Sequence, residues 1–141
     1  MLSLRNFAAF LMASCLLACS GPHIEWSEAD RENIRHYFTS AEASRAATAY
    51  TNDPNIPFDE NEYLSICRLA LDEAKLVDDL VLAKAHPDMP ERFRALYQES
   101  LVLMIHAVEN RDNQASVNAS SLHDQWVDWY NANRGKIKIP N

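Results

Sequence analysis

The side chains able to do chemistry in this chain are few, and their spacing fits few reactions. Five histidines occur in 141 residues. Glu32 and His36 stand four apart on a predicted helix, while His123 adjoins Asp124, a spacing at which helical side chains do not face each other. Carboxylate-bridged metal bundles need paired Glu-x-x-His motifs, and the sequence contains none. A site assembled across helices from His86, His106 and His123 stays open beside the plainer reading of singly bonded or solvated histidines. No Cys-x-x-Cys-His motif for covalent haem occurs. Hydrolytic templates fail as well: with two glycines in the chain there is no Gly-x-Ser-x-Gly elbow and no phosphate-cradling loop. Cys67 lies in an apolar helical pattern and reads as a buried thiol. Twenty acids spread along the sequence read as solvated helix faces. The chain is therefore expected to be no enzyme and to hold neither metal nor cofactor. One cluster stands apart: Trp126, Trp129 and Tyr130, which suit either a bundle core or an anchor for a protein partner.

The elements that carry these residues read as helices. Ser27 and Asp30 form a capping box opening a first helix that runs to about Tyr50. Its apolar face is Ile34, Tyr37, Phe38, Ala41 and Thr48, interrupted by Ser44 and Arg45, and its alanines admit a close neighbour. Asp53-Pro54 and Ile56-Pro57 break it. Asp59 with Glu62 repeats the capping pattern, Phe58 and Tyr63 make a hydrophobic staple, and a second helix is predicted to about Ala85. Tyr63, Cys67, Ala70, Ala74, Val77 and Val81 share one face. Ile66, Leu69, Leu76 and Leu80 widen it, so this helix is expected to be central. His86 to Pro90 is a turn, and Asp88 with Glu91 predicts a third capped helix. That helix takes Phe93, Leu96, Tyr97, Leu101, Met104, Ile105 and Val108 inward. The spacing Met104, Val108, Ala115, Ala119, Leu122, Trp126 could carry one helix straight through, but a break near Asp112-Asn113 is favoured, before a last helix for which Gly135 suits the C-terminal cap. The fold expected is all-α, an antiparallel bundle of about four helices with three as the fallback. The bundle domain spans residues 27–135, followed by an extended tail over 136–141.

The N-terminus carries the address. Arg5 precedes an uncharged, mostly apolar stretch from Phe7 to Ala18. That is the shape of a secretory signal and too short to span a bilayer. Leu16-Leu17-Ala18-Cys19 resembles the lipobox of bacterial lipoproteins. The resemblance implies that residues 1–18 are removed and that Cys19 receives a diacylglycerol and is usually N-acylated. Leu17 is bulkier than the commonest residue at its place. Cys15 is the poorer candidate, since Met12 would fill the aliphatic position. The alternative is an ordinary signal peptide with Cys19 incidental. Residues 19–26 then form the lipidated cysteine and a short tether. Ser20 replaces the aspartate that marks inner-membrane retention in such lipoproteins, which implies the outer membrane, facing the periplasm.

Loss of residues 1–18 removes Arg5 and leaves 12 Lys and Arg against 20 Asp and Glu. Such an acidic domain suits neither nucleic acid nor anionic lipid, so the membrane contact expected is the anchor alone. Cys67 remains as an unpaired thiol, so no internal disulfide can staple the domain. A membrane address, surplus apolar helix surface and the failure of each catalytic template predict a protein-binding adaptor, assembly factor or inhibitor. Secretin pilotins and membrane-tethered immunity or exclusion proteins have this general shape, though no motif matches either. The alternative is a carrier of a small ligand or metal in the bundle interior.

Overall fold

The structure is a computed structural model that describes residues 24–140; the expected signal peptide and Cys19 lie outside the described residues. Among the described residues all regular structure is helical, as expected. The helices are α1 (Glu28–Asn52), α2 (Glu60–Leu76), α3 (Asp79–Ala85), α4 (residues 89–110) and α5 (Asn113–Asn133). Within α4 the segment Phe93–Gln98 is wound as a π-helix between two α-helical parts. No described helix is long and apolar enough to cross a membrane.

Local chemistry starts most of these helices. The Ser27 hydroxyl accepts the Asp30 N–H at 3.1 Å, and the Asp30 carboxylate accepts the Ser27 N–H at 2.9 Å. This is the reciprocal capping box. Lys84 Nζ donates to the same carboxylate at 2.6 Å. Lys84, and then Ser27, hold the Asp30 pKa down at about 2. At α2 the box is only half made. Asp59 accepts the Asn61 and Glu62 N–H groups, but the Glu62 carboxylate turns to accept the Tyr50 hydroxyl at 3.1 Å. Tyr50 replaces Glu62 as partner of the cap backbone, its oxygen accepting the Asp59 N–H at 2.9 Å. The Phe58–Tyr63 staple forms, with ring centroids 5.5 Å apart. Asp88 makes no side-chain cap to α4, contrary to expectation. Its own N–H is directed at His86 Nδ1, 3.2 Å away. The expected break between the last two helices is present: Arg111 is left-handed at φ 52° and Asp112 caps α5.

The predicted second helix is in fact two. α2 stops at Leu76, Val77 is extended, and Asp78 caps α3 by accepting the Leu80 N–H at 2.7 Å. The groups freed by the break are met from other helices. Asn33 of α1 donates to the Leu76 carbonyl at 2.9 Å and accepts the Asp78 N–H at 2.7 Å. Arg94 of α4 donates to the carbonyls of Ala74 and Val77 and to the Asp79 carboxylate. Val77 within the break and Val81 beyond it remain buried. The apolar pattern therefore passes through the interruption undisturbed.

Consecutive long helices run antiparallel. Pairs Asn33–Leu76, Ser40–Ala70 and Tyr50–Glu62 align α1 with α2. Arg68–Glu109 and Ala74–Arg94 align α2 with α4, and Phe93–Trp126 and Tyr97–His123 align α4 with α5. Ile24, the α2–α3 break, α3 and the tail thus share one end of the molecule, here the lower end. The loops after α1 and α4 share the upper end. Small side chains allow α1 and α2 to meet closely, with Ala43, Ala70 and Ala74 in one core cluster. The inner face of α1 differs from the expected one. Ser40, Ser44, Ala47 and Tyr50 are buried on it, whereas Phe38 and Thr48 are exposed. Serine is tolerated inside because its hydroxyl is bonded: Ser40 Oγ donates to the Ala70 carbonyl at 2.6 Å. α2 is not covered all round either. Leu69 and Leu76 are 50% and 55% exposed, since no helix packs on its outer side, and Leu80 at the start of α3 is 75% exposed. At the C-terminus Gly135 does not take the left-handed conformation. The tail is extended but docked, with Ile137 and Ile139 against the core and the Lys138 N–H donating to the Ala85 carbonyl at 3.0 Å.

Candidate functional site

α1 and α5 flank the same core yet make almost no direct backbone contact. Aromatic rings between them explain the gap in the lower half. Tyr37 of α1 meets Phe93 at 5.7 Å, and Phe93 meets Tyr97 at 5.0 Å and Trp126 of α5 at 5.7 Å. Trp126 stacks on Trp129 at 5.4 Å and lies 5.8 Å from Tyr130. The Tyr97 hydroxyl sits 2.9 Å from Ser40 Oγ, tying the layer to α1. Phe93 and Tyr97 project from the π-helical turn of α4, a local winding frequently found at functional places.

Above this layer the facing side chains are small and the gap stays open. Ser44, Ala47, Thr48 and Thr51 of α1 form one wall, and Ala119, Ser120, His123 and Val127 of α5 the other. Tyr63, Cys67, Ser100, Leu101 and Met104 make the floor. The result is a groove of about 400 Å³, walled by alanine, serine and threonine and floored by larger apolar groups. Wall residues 44–52 cover about two helical turns, or roughly 12 Å.

The two threonine hydroxyls of the α1 wall are already engaged. Thr48 donates to the Ser44 carbonyl at 3.2 Å and Thr51 to the Thr48 carbonyl at 3.0 Å. In the floor, Ser100 donates to the Tyr97 carbonyl at 2.6 Å. These groups present mainly their carbon atoms to the groove. Burial pushes the Cys67 thiol up, with a hydrogen bond from Tyr63 opposing it. Cys67 is only 1% exposed, so the floor offers no thiolate nucleophile. Burial lowers the His123 pKa, partly offset by the neighbouring Asp124 charge. The shift favours the neutral imidazole, in keeping with an apolar surface.

The residues singled out in the sequence fall in different places. Trp126 is buried, and Trp129 and Tyr130 are half-buried against the core. They belong to the aromatic layer below the groove and do not line it. Cys19 lies outside the described residues. The histidines do not converge: His86 meets the Trp129 edge at 5.4 Å, His106 lies 3.7 Å from Asp112, and His123 lies 6.4 Å from the Tyr97 ring. His36 pairs with Glu73 of α2 at 2.7 Å rather than with Glu32, whose carboxylate is taken by Arg35. Among the described residues no three His, Cys, Asp or Glu side chains gather as a metal site. The groove itself escapes a sequence reading, because it arises where two helices distant in sequence fail to touch. The signal that could have found it is the change from ring-bearing to small side chains along both α1 and α5. Compared with protein-family models, curated proteins and solved structures, the chain has no match.

Proposed function

We propose that this chain is an exported lipoprotein, anchored through Cys19 in the outer membrane and facing the periplasm. It acts there by binding another protein, as an adaptor, assembly factor or inhibitor. The groove between α1 and α5 carries the reading. Its length of about two turns and its small-residue walls suit an apolar helical segment laid between the two helices, with anchors at i, i+3 or i+4, and i+7. It opens in the upper half of the molecule, away from the end that Cys19 would tether. Its surface is uncharged apart from Asp124 at the margin, which favours an apolar occupant.

In-cell crosslinking from a photoreactive residue at Thr48 in the lipidated protein tests this. One protein at near-equal stoichiometry is expected, and Ser120→Trp, which fills the exposed α5 wall, should abolish its capture. Capture unchanged by Ser120→Trp refutes the groove as the binding site. The anchor has its own test. Cys19→Ser should leave the protein unprocessed or free of the membrane, and normal processing with unchanged partition refutes lipidation.

A second reading draws on the cavity size, which lies within the range of about 300–1,000 Å³ for small-molecule pockets. On that reading the protein carries an apolar small ligand. Native mass spectrometry of protein purified from its host should then show an added mass that Ser120→Trp removes.

A further inference from the structure

We propose that the corner between α2 and α3 is a second membrane contact, setting Leu76 and Leu80 into the lipid interface beside the acyl anchor. The proposal rests on Cys19 being lipidated. Four residues stand between Cys19 and Ile24, a span of five residue steps or about 17 Å when fully extended. The anchor therefore holds the lower end of the domain against the bilayer. At that end Leu80 is 75% exposed, more than any other large apolar side chain among the described residues, and Leu76 is 55% exposed.

The corner is built to hold these two side chains out. Asn33 bonds both sides of the break, and Arg94 grips the carbonyls of Ala74 and Val77. Leu76 and Leu80 therefore stand on fixed backbone rather than on a loose loop. The acids around them are occupied. Asp78 caps Leu80, Asp79 pairs with Arg94 at 2.8 Å, and Asp72 pairs with Lys75 at 3.7 Å. Asp30 pairs with Lys84 at 2.6 Å. Glu25 and Glu28 are also at this end and exposed, so attraction to anionic lipid is not the driving force. The contact is apolar, and its occupant is the interface of a neutral bilayer. Leu69 supplies an internal control. It is 50% exposed on α2 but lies seven residues, roughly 10 Å, higher along the helix.

The test uses lipidated full-length protein in phosphatidylcholine vesicles, with a nitroxide at Leu80→Cys or Leu69→Cys; buried Cys67 stays unlabelled. The Leu80 label should show a ratio of oxygen to nickel-chelate accessibility roughly threefold above that of the Leu69 label, as for a group some 5–10 Å into the interface. Leu76→Ser should lower that ratio, and added anionic lipid should not change it. Protein that floats with the vesicles while both labels are equally open to nickel overturns the corner contact and leaves the anchor standing. Protein that does not float overturns both. Dipolar broadening between Leu80 labels means that a second copy covers the corner, which overturns the lipid assignment.

Discussion

Arg94 is the side chain on which the α2–α3 corner most depends, and its removal gives a measurable prediction. Its guanidinium donates to the Ala74 and Val77 carbonyls, to Gln98 and to the Asp79 carboxylate. A hydrogen bond to a charged group contributes about 1.5–3 kcal/mol. The two carbonyl bonds set the magnitude, because the Asp79 side chain is 60% exposed and such a pair adds at most about 1 kcal/mol. The Arg94 side chain is itself 31% exposed. Water can reach the abandoned carbonyls in part, and each bond is taken near the lower limit. Arg94→Ala should therefore cost about 3 kcal/mol. For a domain of this size that corresponds to a fall in Tm of roughly 10–15 °C. Arg94→Lys should recover less than half, since an ammonium cannot span two carbonyls and a carboxylate as a fork. Urea unfolding of residues 24–140, followed by far-ultraviolet circular dichroism, reads the change. Asn33→Ala acts on the same break, so the double variant should depart from additivity by at least about 0.5 kcal/mol. A loss below about 1 kcal/mol for Arg94→Ala would mean that water replaces the clamp at little cost, and that the corner is held by packing alone.

Two further outcomes follow from named side chains. The folded pKa of His123 is depressed by burial, so below about 6.5 the unfolded chain binds the proton first. Stability should then fall as pH drops from 6.5 through the lower folded value. His123→Gln should remove this part of the slope, and a titration by NMR with a folded pKa at or above 6.5 would refute it. A Cβ at Gly135 meets nothing within 4 Å and the residue is not left-handed. Gly135→Ala should therefore raise stability by about 0.4–1 kcal/mol through the unfolded chain, read as a later urea midpoint; an earlier one would refute the conformation described.

Much of the helical layout is legible in the sequence because its causes are local. Ser27 with Asp30, Asp59 ahead of α2 and Asp112 ahead of α5 all cap backbone within a few residues of themselves. The break at Val77 is not legible in this way. Tyr63, Cys67, Ala70, Ala74, Val77 and Val81 keep one inward face across it. The groups that satisfy the interruption, Asn33 and Arg94, are supplied from other helices. Ser44 misleads for a related reason: a small hydroxyl in a face of larger apolar residues reads as a gap in burial, yet it is only 8% exposed. Trp126, Trp129 and Tyr130 are recognisable in sequence as a cluster. Their place in an aromatic layer below a groove depends on Tyr37, Phe93 and Tyr97, which share their core cluster.

The three tryptophans give the molecule its own optical readout. Trp126 and Trp129 are stacked with an interplanar angle of 26°, close enough for their excited states to couple, and both sit below the groove. Trp26 is half-buried at the lower end, beside Asp30 and Lys84. Near-ultraviolet dichroism should therefore be dominated by the coupled pair and should weaken when α4 parts from α5 and Trp126 loses Phe93 and Tyr97. Emission from Trp26, isolated with Trp126→Phe and Trp129→Phe, reports polarity where the chain enters the domain. Unlabelled protein can thus show separately whether its core is closed and what surrounds its lower end.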